Sequence, residues 1–134
     1  MQKRTYSGLK AGIVQRSISY AFHVLTEFNA VQSWLSNKAI VLHVSLSFLL
    51  GIAVLVSCIG LVIFGAILGM IFVRLEGSIP IASIYIKAPF FYAIIWLLTN
   101  AYAWTSYGIF NVPEFIWDVI AALVFAYLFN RWTK

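Results

Sequence analysis

Histidine, cysteine and acidic side chains, which most often carry out chemistry in proteins, are few in this sequence. There are two histidines, four acidic residues and one cysteine, Cys58. A haem held between two histidines would need both at membrane depth, but only His43 falls within a long apolar block, whereas His23 precedes it. No residue pattern resembles a nucleophile–base pair, a phosphate-binding loop or a metal site. We therefore expect no catalytic residue, no cofactor and no metal, and predict that the protein is not an enzyme.

Four polar residues within or beside the apolar segments are candidates for intramembrane roles. Asp118 is the first, because acids inside a membrane are costly and often serve an ion pathway or a proton relay. It follows Glu114 by one helical turn near the start of a segment, where the helix dipole also favours a carboxylate. Thr99 and Asn100 are better placed for a hydrogen bond between helices. His43 is more simply explained as an interfacial residue bonded to backbone or water.

The composition indicates lipid rather than water as the solvent. Of 134 residues, 63% are hydrophobic and 10% are charged, against about 25% charged in a typical soluble domain. The hydrophobic residues occur in long blocks, and the net charge of +5 comes from cations near the ends of these blocks. Such cations usually orient a membrane protein against anionic cytoplasmic lipid. We therefore expect the lipid bilayer as a partner, and not nucleic acid.

The apolar blocks divide the chain into two parts. Residues 1–38 form a basic amphipathic segment, and residues 39–134 form a membrane domain. The membrane domain contains, in order, an apolar block, a loop, a span, a short turn and a last span: residues 39–73, 74–88, 89–109, 110–114 and 115–130. The sequence thus predicts an all-α integral membrane protein, in which an N-terminal amphipathic helix precedes a small bundle of three or four transmembrane helices.

The number of crossings depends on residues 39–73, which include no charged residue. As one helix, these 35 residues would extend roughly 52 Å, well beyond the hydrocarbon layer of about 30 Å. Two short spans joined at Ser57–Gly60 would instead place all nine basic residues on one side, as the positive-inside tendency favours. That turn has no Pro, Asn or Asp, however. We prefer four crossings, with both termini cytoplasmic in a bacterial inner membrane, and keep three crossings as the alternative.

An apolar stripe runs along residues 9–35. Its large members recur at helical spacing on one side of the chain: Val14, Ile18, Leu25 and Phe28. Polar residues such as Arg16, Ser19 and His23 fall on the opposite side. An ordered helix of this kind buries its stripe either in the headgroup region of a membrane or on a protein partner. The sequence leaves both alternatives open.

Small residues form a second pattern, within the apolar block. Gly65 and Gly69 are four residues apart, a spacing that lets two membrane helices approach closely, and Gly60 and Ser57 add small residues in the same block. The helix that they meet belongs either to another molecule or to the same chain. We predict a non-enzymatic membrane protein that acts as a subunit or interaction partner, in a homo-oligomer or with other membrane subunits. The alternative is a small pore-forming or transport protein, including a holin-like one.

Overall fold

The protein is all-helical, as predicted. Its computed structural model describes residues 2–108 and 111–134, without the side chains of residues 102–104 and 107. This part of the chain forms four helices: α1 (Gln2–Leu42), α2 (Leu46–Leu75), α3 (Ile84–Tyr107) and α4 (Val112–Thr133). Three of them, α2, α3 and α4, are long and apolar enough to cross a membrane.

The break in the long apolar region lies at residues 43–45. His43 adopts a left-handed backbone conformation, with φ of 53°, and Val44 N–H bonds to the carbonyl of Ala39 at the end of α1. Ser45 then caps α2, because its hydroxyl accepts a hydrogen bond from the N–H of Phe48. The turn predicted at residues 57–60 is therefore wrong, since these residues lie inside α2. One glycine without a capping residue does not end a helix in apolar surroundings, where the freed backbone groups would find no water.

The other predicted boundaries shift by several residues. The loop between α2 and α3 covers residues 76–83 rather than 74–88. Ile86 and Lys87 bond through their N–H groups to the carbonyl of Ser83, so that α3 begins before Pro89. Pro89 thus lies inside α3 and not at its start. Residues 109 and 110, where the predicted span ends and the predicted turn begins, lie outside the described residues.

Successive helices run antiparallel, and α1 packs between α2 and α4, while α3 packs on α4. The core lies near the end that holds both chain termini. There Phe72 of α2 is fully buried, and its ring meets those of Phe91, Phe125 and Phe129 edge to face at centroid distances of 5.0–5.8 Å. Such aromatic contacts join α2, α3 and α4 at this end.

Helices α1 and α2 do not match in length. Gly12 packs against Gly65, yet 31 residues of α1 separate this contact from the turn (12 to 42), against 20 residues of α2 (46 to 65). The difference of 11 residues corresponds to roughly 16 Å of helix. Helix α1 is therefore too long to pair residue by residue with α2 between the glycine contact and the turn. Its residues 24–34 are all exposed.

Candidate functional site

A line of small and polar residues on α1 faces α4, and we call this contact the polar seam. Ser7, Gln15 and Ser19 are buried, with 3%, 0% and 6% of their surface exposed. The hydroxyl of Ser7 donates to the carbonyl of Trp132 at 3.0 Å. The side-chain amide of Gln15 donates to Oδ1 of Asp118 at 3.3 Å, and the hydroxyl of Ser19 donates to the same oxygen. Asp118 is itself buried.

The seam continues toward the first residues of α4. Nε2 of His23 lies 2.9 Å from Oε1 of Glu114, which also accepts a hydrogen bond of 3.0 Å from the indole N–H of Trp96 on α3. The indole N–H of Trp117 donates to the carbonyl of Ile18 at 2.9 Å. Residues 7–23 of α1 thus lie along α4 from residue 132 to residue 114, which is nearly the whole length of α4.

A polar cavity of about 190 Å³ opens beside the seam. Its lining comes from α1, α3 and α4: Arg16, Ser19, Phe22, His23, Trp96, Thr99, Asn100, Glu114, Trp117 and Asp118. The guanidinium of Arg16 lies 5.1 Å from the ring centroid of Phe64. The cavity therefore collects two carboxylates, one guanidinium and one imidazole at the place where three helices meet.

Two buried polar atoms near the seam have no hydrogen-bond partner among the described residues. They are Oε1 of Gln15 and the hydroxyl of Tyr92, on side chains that are 0% and 1% exposed. A buried oxygen without a partner is unfavourable, and water commonly satisfies it. The described residues hold no group of three or more His, Cys, Asp or Glu arranged for a metal ion. What the seam offers chemically is hydrogen bonding between helices.

Glycines carry the contact between α1 and α2. Gly8 and Gly12 of α1 face Gly65 and Gly69 of α2. A Cβ atom added to Gly65 would lie 2.7 Å from the carbonyl oxygen of Gly12, so the two backbones touch. Gly60, in contrast, has nothing within 4 Å of such an atom. The glycine pair noted in the sequence thus meets a helix of the same chain.

The remaining predicted residues are spread over the molecule. Thr99 and Asn100 line the polar cavity and bond to carbonyls of their own helix, at Ile95 and Trp96. His43 lies in the exposed turn between α1 and α2. Ser57 is half-buried beside Gly60 on α2.

The predicted stripe divides into two parts. Val14 and Ile18 are half-buried in the bundle, whereas Leu25 and Phe28 are 81% and 50% exposed. A groove of about 320 Å³ lies on the same stretch of α1 and includes Phe28 but not Leu25, and we call it the α1 groove. It is lined by Tyr20, His23, Val24, Glu27, Phe28 and Val31.

Sequence reasoning missed Gln15, Tyr92 and the glycine pair of α1. Gly8 and Gly12 have the same four-residue spacing as the pair that was noted, and this signal was available. Gln15 was also detectable, because Ser7, Ala11, Gln15 and Ser19 form a line of small and polar residues at intervals of four. Nothing in the sequence around Tyr92 distinguishes it from the neighbouring aromatic residues.

Comparison with known protein families, curated proteins and solved structures finds no match to this chain.

Proposed function

We propose that this chain is a non-enzymatic integral membrane protein that acts as a subunit or interaction partner of another membrane protein. The main observation in support of this proposal is the exposed apolar surface of the α1 groove. Val24, Phe28 and Val31 expose 38%, 50% and 47% of their surface there, within residues 24–34 of α1, all of which are exposed. Burying such side chains is worth on the order of 1.5–3 kcal/mol each when it is complete. A protein that buries these apolar side chains would therefore bind this part of α1 favourably.

The charge of the segment favours a protein partner over the membrane surface. Helices that lie on membranes usually carry many Lys and Arg residues on their polar face. Residues 24–37 contain no Lys or Arg and one acid, Glu27. The side opposite the groove instead carries small, uncharged residues: Thr26, Asn29, Ala30, Ser33 and Asn37. Anionic lipid would not attract such a face, whereas a protein surface can cover the apolar side.

The polar seam also supports a topology of four crossings. Because residues 7–23 of α1 follow α4, a bilayer crossed by α4 is crossed by α1 as well. The fourth crossing then comes from α1, and not from a division of residues 39–73. Both termini and the loop at residues 76–83 share one side, which holds most of the basic residues: Lys3, Arg4, Lys10, Arg74, Lys87, Arg131 and Lys134. The positive-inside tendency places this side in the cytoplasm, as for a bacterial inner-membrane protein.

Reporter fusions test the topology. A reporter after Lys134 and one inserted at Ser78 should both read cytoplasmic, while one inserted at Val44 should read external. A cytoplasmic reading at Val44 would contradict the crossing by α1.

Site-specific photo-crosslinking in cells tests the partner. A photoreactive amino acid at Phe28, inside the groove, should give a protein adduct, and one at Ser33, on the opposite side of the same helix, should give little. The mass of the adduct distinguishes a second copy from a different subunit. Equal labelling at both positions, together with a strictly monomeric particle after purification in mild detergent, would contradict the proposal.

The polar cavity favours a second candidate, a small transport or pore-forming protein. Ionisable residues inside a membrane often mark ion paths or proton relays, and Asp118 and Glu114 are one helical turn apart along the cavity. Flux of protons or small cations into liposomes that contain the purified protein is the test, with Asp118→Asn as the variant. Flux no greater than in empty vesicles would exclude this candidate.

A further inference from the structure

A second cavity lies at the opposite end of the bundle, beside the basic end of the chain. Its volume is about 550 Å³. Parts of α1, α2, α3 and the loop after α2 line it: Arg4, Thr5, Met70, Val73, Arg74, Glu76, Gly77 and Lys87. It is thus built from three cations and one acid above a wall of apolar side chains on α2.

The charges in this cavity are not balanced. Arg4 forms an ion pair with the carboxylate of Glu76, whose side chain is only 9% exposed. The ammonium of Lys87 donates to the backbone carbonyl of Glu76 at 2.7 Å, a contact that leaves its positive charge uncompensated. Arg74 is exposed, and no ion pair of its guanidinium occurs among the described residues. Two positive charges, on Arg74 and Lys87, therefore remain for a ligand.

The position of the cavity identifies the kind of anion. Arg74 and Lys87 stand at the ends of two apolar helices, at the level where a bilayer has its headgroups. Met70 and Val73 continue the lining along α2 toward the outer surface, where Ile67 and Ile71 are 42% and 38% exposed. A cavity with cations at the headgroup level and an apolar wall below them matches a phospholipid, since basic pockets between transmembrane helices bind anionic headgroups.

We propose that this cavity binds an anionic phospholipid, with the headgroup phosphate between Arg74 and Lys87 and the acyl chains along Met70 and Val73. The site does not depend on the partner proposed for the α1 groove, because that groove lies on residues 20–31 of α1 and shares no lining residue with this cavity. The Arg4–Glu76 ion pair holds α1 against the loop after α2, and Lys87 bonds to the same residue. A lipid here would therefore join three helices and stabilise the bundle.

Native mass spectrometry and thermal unfolding of the purified full chain test the proposal. Phosphatidylglycerol and phosphatidylcholine with identical acyl chains are the probes. We expect phosphatidylglycerol to be retained and to raise the unfolding temperature, and phosphatidylcholine to do neither. The double variant Arg74→Gln/Lys87→Gln should bind phosphatidylglycerol roughly 30-fold more weakly, because each basic side chain near an anionic surface contributes about fivefold.

A matched control is available at the same end of the molecule. The double variant Arg131→Gln/Lys134→Gln removes the same charge, and neither residue lines this cavity or the neighbouring cavity of about 160 Å³. It should bind phosphatidylglycerol as the natural chain does. The conservative variant Arg74→Lys/Lys87→Arg should also bind, and this result separates loss of the site from loss of the fold.

Three results would overturn the proposal. Equal retention of phosphatidylcholine would show that the site does not recognise the charge of the headgroup. An equal loss in the Arg131→Gln/Lys134→Gln control would show that only the overall charge of this end matters. Competition by free glycerol phosphate at the concentration of the lipid would show a site for soluble anions instead of a lipid.

Discussion

The glycine contact between α1 and α2 gives the sharpest prediction for stability. We consider Gly65→Ala, which adds one methyl group where the backbones of the two helices touch. The new Cβ atom would lie 2.7 Å from the carbonyl oxygen of Gly12 and 2.8 Å from Cα of Ile13. Ordinary contacts of this kind begin at 3.4 Å. The helices must therefore separate by about 0.7 Å, because both neighbouring atoms belong to backbone that cannot rotate away.

The expected loss is about 1–3 kcal/mol of unfolding free energy, the usual effect of overpacking. Gly12→Ala should be at least as harmful, since its Cβ atom would approach the carbonyl oxygen of Gly65 more closely still. The double variant Gly12→Ala/Gly65→Ala should lose less than the sum of the two, because helices already separated by one methyl group accommodate the second more easily.

Gly60→Ala provides the control within the same helix. Nothing lies within 4 Å of its added Cβ atom, and alanine is favoured over glycine inside a helix by roughly 0.5–1 kcal/mol. This variant should be neutral or slightly more stable. Unfolding by sodium dodecyl sulfate in mild-detergent micelles, followed by circular dichroism, measures all four proteins. Equal stability of Gly65→Ala and Gly60→Ala would refute the close contact between α1 and α2.

Two further predictions concern the aromatic core and the polar seam. Phe72→Ala, which empties the centre of the aromatic core, should lose about 3–5 kcal/mol of unfolding free energy in the same assay. Phe48→Ala, at a position that is 58% exposed, should lose much less. Equal losses would contradict the location of the core. Asp118→Asn keeps an oxygen that accepts the hydrogen bond from Ser19 and should stay close to the natural chain. Asp118→Ala removes the acceptor that Gln15 and Ser19 share and leaves the Gln15 amide only its bond to the Ser19 hydroxyl, so this variant should lose about 1–3 kcal/mol. Equal stability of the two Asp118 variants would show that the seam contributes little.

The sequence was most informative about the helices that are apolar on all sides. Uninterrupted apolar residues and helix-ending loops predicted the membrane segments that became α2, α3 and α4. The exact ends were less predictable, because they depend on single backbone conformations. His43 ends α1 by adopting a left-handed conformation, which histidine takes up less readily than glycine, so the sequence carried only a weak signal there.

The internal face of α1 could not be read from its hydrophobic pattern. In a soluble protein the apolar stripe of a helix faces the core, but among apolar helices the small and polar residues make the contacts. Gln15 and Ser19 lie on the side that would face water in a soluble protein, and here they are buried against Asp118. The hydrophobic pattern does not show this reversal, and its one trace in the sequence is the four-residue spacing that places Gln15 and Ser19 on a line of small and polar residues.

The polar seam also has a consequence for the order in which the protein is made. Gln15 and Ser19 are separated in sequence from Asp118 by 103 and 99 residues, so a ribosome produces α1 long before its hydrogen-bonding partner. Until α4 emerges, the carboxylate that accepts from both side chains is missing, and α1 is not among the described helices that are apolar enough to cross a membrane. We therefore expect α1 to stay at the membrane surface or on a chaperone during synthesis, and to take its place last, after α4 has been made. A nascent chain that ends before residue 112 should leave α1 open to protease, and completion of α4 should protect it.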